Sequence, residues 1–150
     1  MSNLIEHVYN VELEWLEGKI GRLRSDELED SFQVATPPEF PGGVEGIWSP
    51  EHLFIASVSS CFMTTFTAIA EYSKLTFKEL SVPASGTMSN ESGKFLITEI
   101  ILRPALIIMD ETKKEKAYRI LEKAEEACLI SRSIHSKVIH KPEVLIAESI

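Results

Sequence analysis

The sequence has 150 residues, 44% of them hydrophobic and 25% charged, with a formal net charge of −8 at pH 7. That length fits one domain over residues 1–150 with a sizeable core. The acidic balance argues against nucleic acid, whose phosphates need clustered Lys and Arg, and against anionic membrane surfaces.

The opening stretch MSNLIEHVYNVELEW has no basic segment followed by an apolar run, so no secretory signal is expected. Val11, Leu13 and Trp15 alternate with Glu12 and Glu14, which predicts a half-buried strand. The glycines of EGKIG supply a turn, and IGRLR returns as the hairpin partner. SFQVAT reads as a further short strand, stopped by Pro37 and Pro38. PPEFPGGVEGIW is loop by its Pro and Gly content. Trp15 and Trp48 are expected as packing residues.

Ser49-Pro50-Glu51 opens a helix: Ser as N-cap, Pro at the first helical position, an acid in the first turn. This first helix is expected to reach about Ser73. From Leu53 to Ala70 it carries no charge, a length that meets the threshold of about 18 residues for a membrane span. Its Ser57, Ser59, Ser60, Thr64, Thr65 and Thr67 argue against that, as does the absence of basic flanks beside Glu51 and Glu71. The expectation is a helix buried in protein on all sides, with a second copy of the chain supplying part of the wall.

TFKELSVPASGTMSN and GKFLITEIILRPALIIM predict two long strands joined at SNESGK, with Pro83 and Pro104 marking bulges or edges. Asp110 or Thr112 caps a second helix. Its Ala117, Ile120, Leu121, Ala124 and Cys128 recur at spacings of three and four, the mark of one buried face. SKVIHKPEVLIAE closes the chain as a strand. The order predicts an α+β domain, mostly antiparallel, with the long first helix as its core.

Two cysteines are not a secreted disulfide framework. A cytoplasmic location is expected, where thiols stay reduced and a disulfide is transient or catalytic. Free cysteine usually acts as a small buried hydrophobe. The hydroxyl residues Ser59, Ser60 and Thr64 near Cys61, and Ser131 and Ser133 after Cys128, point instead to chemistry. His7, His52, His135 and His140 show no metal spacing, and no nucleotide or nucleophile-elbow motif occurs. No metal or cofactor is expected.

SPEHLFIASVSSCFMTTF, together with AEEACLISRSI, resembles the OsmC/Ohr family of osmotically inducible and organic-hydroperoxide-resistance proteins. The family pattern is a Ser/Asn-Pro-Glu-x-Leu helix start, a cysteine ten residues after the Glu, and a second cysteine in an Ala-x-x-x-Cys-x-x-Ser context. Here these are Ser49, Pro50, Glu51, Leu53 and Cys61, then Ala124, Cys128 and Ser131. The resemblance implies an intertwined homodimer acting as a thiol peroxidase in the oxidative stress response. Cys61 is then the peroxidatic thiol, Cys128 its disulfide partner, and Glu51 the residue that positions a cation. A dithiol reductant reopens the pair. Leu53, Phe54 and Phe62 would favour bulky organic peroxides.

A free thiol of pKa about 8.5 is only slightly ionised at neutral pH, and burial raises that value. A cation beside Cys61 is therefore expected. Where relatives carry Arg in the turn after the first strand, this chain has Lys19; Arg22 and Arg24 are the other candidates. Leu129 follows Cys128, where relatives often carry Pro. Glu51 and Cys61 would lie roughly 15 Å apart on one straight helix, so either the helix breaks or a partner subunit contributes. The competing readings are an apolar small-molecule binding protein on the same scaffold, and cysteines that merely pack.

Overall fold

The computed structural model describes residues 5–148. The chain divides after Leu53 into two compact units.

In the first unit, β1 (Glu12–Glu17), β2 (Ile20–Arg24) and β3 (Phe32–Ala35) form an antiparallel sheet in chain order. Gly18, at φ 52°, makes the first turn, which left-handed backbone favours. The Pro- and Gly-rich segment loops back, so that Trp48 bridges Val34 and its carbonyl accepts from the Ala35 amide at 2.8 Å. Gly43 is required in this loop, because a Cβ there would sit 2.0 Å from the Pro37 carbonyl oxygen. The expectation of a half-buried β1 is corrected: every residue of the strand is exposed. The alternation is real, but nothing described covers the face that carries Leu13 and Trp15. Nor are Trp15 and Trp48 packing residues, being 71% and 51% exposed.

Helix α1 (Pro50–Tyr72) begins where expected. Ser49 Oγ accepts from the His52 amide at 3.0 Å, the N-cap bond. The helix ends in a Schellman motif: Leu75 N–H donates to Ala70 O, and Lys74 N–H to Glu71 O. Lys74 takes the left-handed position, at φ 56°, that glycine usually fills.

The second unit continues with β4 (Glu79–Ser81), β5 (Ala84–Glu91), β6 (Lys94–Leu102) and β7 (Ala105–Ile108). A single 3-10 turn follows, capped by Asp110, which accepts from the Thr112 amide. Then come α2 (Lys114–Ala127), α3 (Leu129–Arg132), β8 (Lys137–His140) and β9 (Glu143–Ile146). The two long strands foreseen are each cut in two, near Pro83 and Pro104, because proline cannot donate to the ladder. The closing segment is likewise two strands, interrupted at Lys141-Pro142. β8 pairs in parallel with β6, and β9 in parallel with β7. The resulting sheets run β5-β6-β8 and β4-β7-β9, antiparallel between β5 and β6 and between β4 and β7. This is the expected α+β class.

The core gathers Val58, Phe62, Phe66 and Ala70 of α1, the inward side chains of β6 and β7, and the stripe Ala117, Ile120, Leu121 and Ala124 of α2. Burying each large side chain contributes about 1.5–3 kcal/mol. Gly86 lets β5 approach α1, since a Cβ there would meet Ile55 Cδ1 at 2.3 Å. Ser59 Oγ ties the helix to the Val82 carbonyl at 2.6 Å. α1 is nonetheless not buried all round. Only one face is sealed; Ser60, Met63, Thr64 and Ala68 are exposed.

Candidate functional site

Cys61 sits midway along α1, half-buried, on the turn before Thr65. Cys128 is fully buried at the break between α2 and α3. Its extended backbone, φ −66° and ψ 110°, ends one helix and starts the next. The amides that open a helix have no partner within it. Here the amides of Leu129 and Ile130 favour ionisation of Cys61, and the Ser131 amide favours that of Cys128. Ser131 Oγ also donates to Cys128 Sγ at 3.3 Å, and Thr65 Oγ1 lies 3.9 Å from Cys61 Sγ. The two thiols lie close enough for each to shift the other's ionisation, although the chain separates them widely.

This asymmetry of donors divides the pair. Burial pushes the Cys61 thiol up, but the Ile130 amide, the Cys128 thiol, the Thr65 hydroxyl and the Leu129 amide outweigh it, and the net shift is downward. Burial pushes the Cys128 thiol up as well. The two Ser131 groups oppose that, while the neighbouring Cys61 adds to it, and the net shift is upward. Cys61 is therefore the sulfur that ionises first. The sequence pointed to a cation for this task; within this unit, backbone amides and hydroxyls lower the Cys61 thiol. Amides carry no residue signature, which is why the sequence could not announce them.

The other residues singled out from the sequence fall as follows. Arg24, Arg22 and Lys19 belong to the first unit, on or beside β2. Arg24 binds the carboxylates of Glu12 and Asp26, Arg22 donates to Ser31 Oγ at 3.4 Å, and the Lys19 stem lies beside Gly42. Glu51 has one carboxylate oxygen, Oε1, that is buried and finds no hydrogen-bond partner among the described residues. Leu53 is half-buried at the end of the first unit. Phe54 lines a cleft of about 420 Å³ together with Leu96, Ile97 and Ile134. Phe62 does not face a cleft: it is 1% exposed and stacks on Phe66 in the core. Among the described residues no cluster of His, Cys, Asp and Glu is arranged to hold a metal.

Residues 43–143 match the profile of the OsmC-like protein family, a span that holds both cysteine motifs. The chain belongs to that family. A relative in sequence, the uncharacterized protein YmaD of Bacillus subtilis (strain 168), is 26% identical over 140 residues, covering 90% of this chain and 91% of that protein. An OsmC-like protein of unknown function from Vibrio cholerae superposes with a TM-score of 0.83 at 21% identity, over 92% of this chain and 100% of that one. An organic hydroperoxide resistance protein from Elizabethkingia anophelis superposes with a TM-score of 0.73 at 25% identity, over 95% and 100%. The OsmC-like family thus includes organic hydroperoxide resistance proteins, and this chain shares their fold at low identity.

Proposed function

We propose that this OsmC-like protein is a cysteine-based peroxidase that reduces organic hydroperoxides in the cytoplasm. The observation that carries the reading is the meeting of Cys61 and Cys128, with their pKa values pushed in opposite directions. The Cys61 thiolate attacks the O–O bond of ROOH. It takes the terminal OH to become a sulfenic acid, and RO⁻ leaves to be protonated to the alcohol. Cys128 then attacks the sulfenic sulfur, forming the Cys61–Cys128 disulfide and releasing water. A dithiol reductant supplies two electrons and two protons to reopen it. Phe54 and the cleft beside it suit an apolar R group, with Leu53 as the other side chain assigned to the pocket.

The working form is a homodimer in this reading. Two features support a second copy: the uncharged exposed face of α1, and the uncovered β1 face around Leu13 and Trp15. The unpartnered Glu51 oxygen is the place for a counter-charge, and Lys19 or Arg22 of the partner subunit fits it better than Arg24, which already binds two carboxylates. α1 is assigned without a break from Pro50 to Tyr72, which favours the partner over a helix break as the means of completing the site.

Adding cumene hydroperoxide to the reduced protein tests the cycle. Each chain should lose two hydrogens in intact mass, and neither Cys61→Ser nor Cys128→Ser should do so. Unchanged thiols at modest excess would overturn the peroxidase reading. The roughly 420 Å³ cleft favours a second reading, an apolar small-molecule binding protein. Native mass spectrometry of gently purified Cys61→Ser protein would then reveal a retained ligand.

A further inference from the structure

We infer that Ser131 is a positioning residue for the second half of the reaction, holding and activating Cys128 for its attack on oxidised Cys61. The inference rests on the peroxidase reading for its biological setting, but its physical content concerns disulfide closure alone.

Cys128 faces a difficulty that Cys61 does not. It is wholly buried, and the attacking species is its thiolate. Among the described residues, no Lys, Arg or His is among the groups that shift its ionisation. What reaches its sulfur is the Ser131 hydroxyl, at 3.3 Å. The start of α3 thus favours ionisation at Cys61 through the Leu129 and Ile130 amides, while the Ser131 hydroxyl donates to Cys128. An O–H donated to sulfur stabilises the thiolate more than the thiol, so it lowers the cost of deprotonation. It also fixes the χ1 of Cys128, which otherwise lacks a cap bond to the helix it precedes.

The arrangement imposes an order of events. While Cys61 is an anion, its charge holds the proton on Cys128. When Cys61 becomes a sulfenic acid or a mixed disulfide, that charge is gone. The Ser131 donors then act without opposition, and Cys128 releases its proton to solvent. Its thiolate attacks Cys61 sulfur; the S–S bond forms, and hydroxide or the external thiolate leaves.

The test separates this step from peroxide chemistry by loading Cys61 in two ways: with cumene hydroperoxide, and with glutathione disulfide, which makes a Cys61–glutathione mixed disulfide. The rate of Cys61–Cys128 closure is followed by quenched-flow mass spectrometry from pH 6 to 10 in the wild type, Ser131→Ala and Ser131→Thr. Ser131→Ala should slow closure about three- to tenfold at neutral pH and move its pH profile upward, so that the rates converge at high pH. Ser131→Thr, which keeps the hydroxyl, should restore the profile. Trapped Cys61 sulfenic acid should accumulate in Ser131→Ala only. If peroxide leaves Cys61 untouched but the glutathione arm shows the shift, the peroxidase reading falls and the role of Ser131 stands. If closure in Ser131→Ala has the wild-type rate and pH profile, the inference is overturned. A uniform slowing at every pH, unrelieved by Thr, overturns it equally, as that is the mark of a structural defect.

Discussion

His140 shows at single-residue scale how the core constrains a titrating group. It ends β8 with its ring against Phe62, 5.3 Å between centroids, and a side chain only 4% exposed. Nδ1 lies 3.1 Å from Glu125 Oε1, yet neither ring nitrogen makes a well-aligned hydrogen bond. Burial lowers the His140 pKa, and Glu125 only partly opposes this. The folded protein therefore prefers neutral imidazole. The unfolded chain takes up a proton near pH 6.5, so it binds more protons than the fold as pH drops. Stability from this site is complete above that value and is lost as pH falls toward the depressed folded pKa. Urea midpoints measured from pH 8 down to pH 5 should decline, and His140→Leu should make that decline shallower. The imbalance was invisible in the sequence, where His140 was one of four histidines without metal spacing. The cysteine pair was legible because its motifs are residue types; its activating amides were not, because every residue has one.

At the scale of elements, prolines and caps did most of the visible work. Ser49-Pro50-Glu51 and Asp110 mark helix starts that the hydrogen bonds reproduce. Pro83 and Pro104 mark the strand breaks. Lys141-Pro142 divides the closing segment as well, into two strands where its apolar pattern predicts one. Their parallel partners β6 and β7 lie far back in the chain, and no local pattern encodes that pairing. The end of α1 offers a direct test. Lys74 holds a left-handed conformation that costs a side-chain-bearing residue roughly 1 kcal/mol. Lys74→Gly should retain both Schellman hydrogen bonds and remove that strain, at some loss through a freer unfolded chain. A net gain of about 0.5 kcal/mol is expected, read as a higher urea midpoint with an unchanged m-value. A lower midpoint would mean that the Lys74 side chain contributes more than its backbone costs.

For the whole molecule, the question is what lies against the surfaces left open. α1 has the length and hydropathy of a membrane span, yet its Val58, Phe62, Phe66 and Ala70 are sealed in the core, and Ser60, Met63, Thr64 and Ala68 leave an uncharged, exposed patch. A second copy of this chain is the expected cover. Light scattering should return twice the chain mass of 16.8 kDa. Met63→Glu, which places a charge on the open face, should yield the single-chain mass with the helical signal retained. Wild-type protein already at the single-chain mass would remove the dimer from the proposal. The expectation of a partner comes from an apolar run too long for a small core; which face of α1 stays open required coordinates.

The parallel strands have a further consequence, one of timing. β8 and β9, which complete the two sheets of the second unit, follow both cysteines in the chain. A ribosome therefore delivers each sulfur before the strands that complete the sheets of its unit. Pairings of such long sequence separation form late in folding. Nascent chains should pass through an interval in which Cys61 and Cys128 are open to any electrophile or stray thiol. The order of synthesis thus leaves both thiols waiting on strands not yet made.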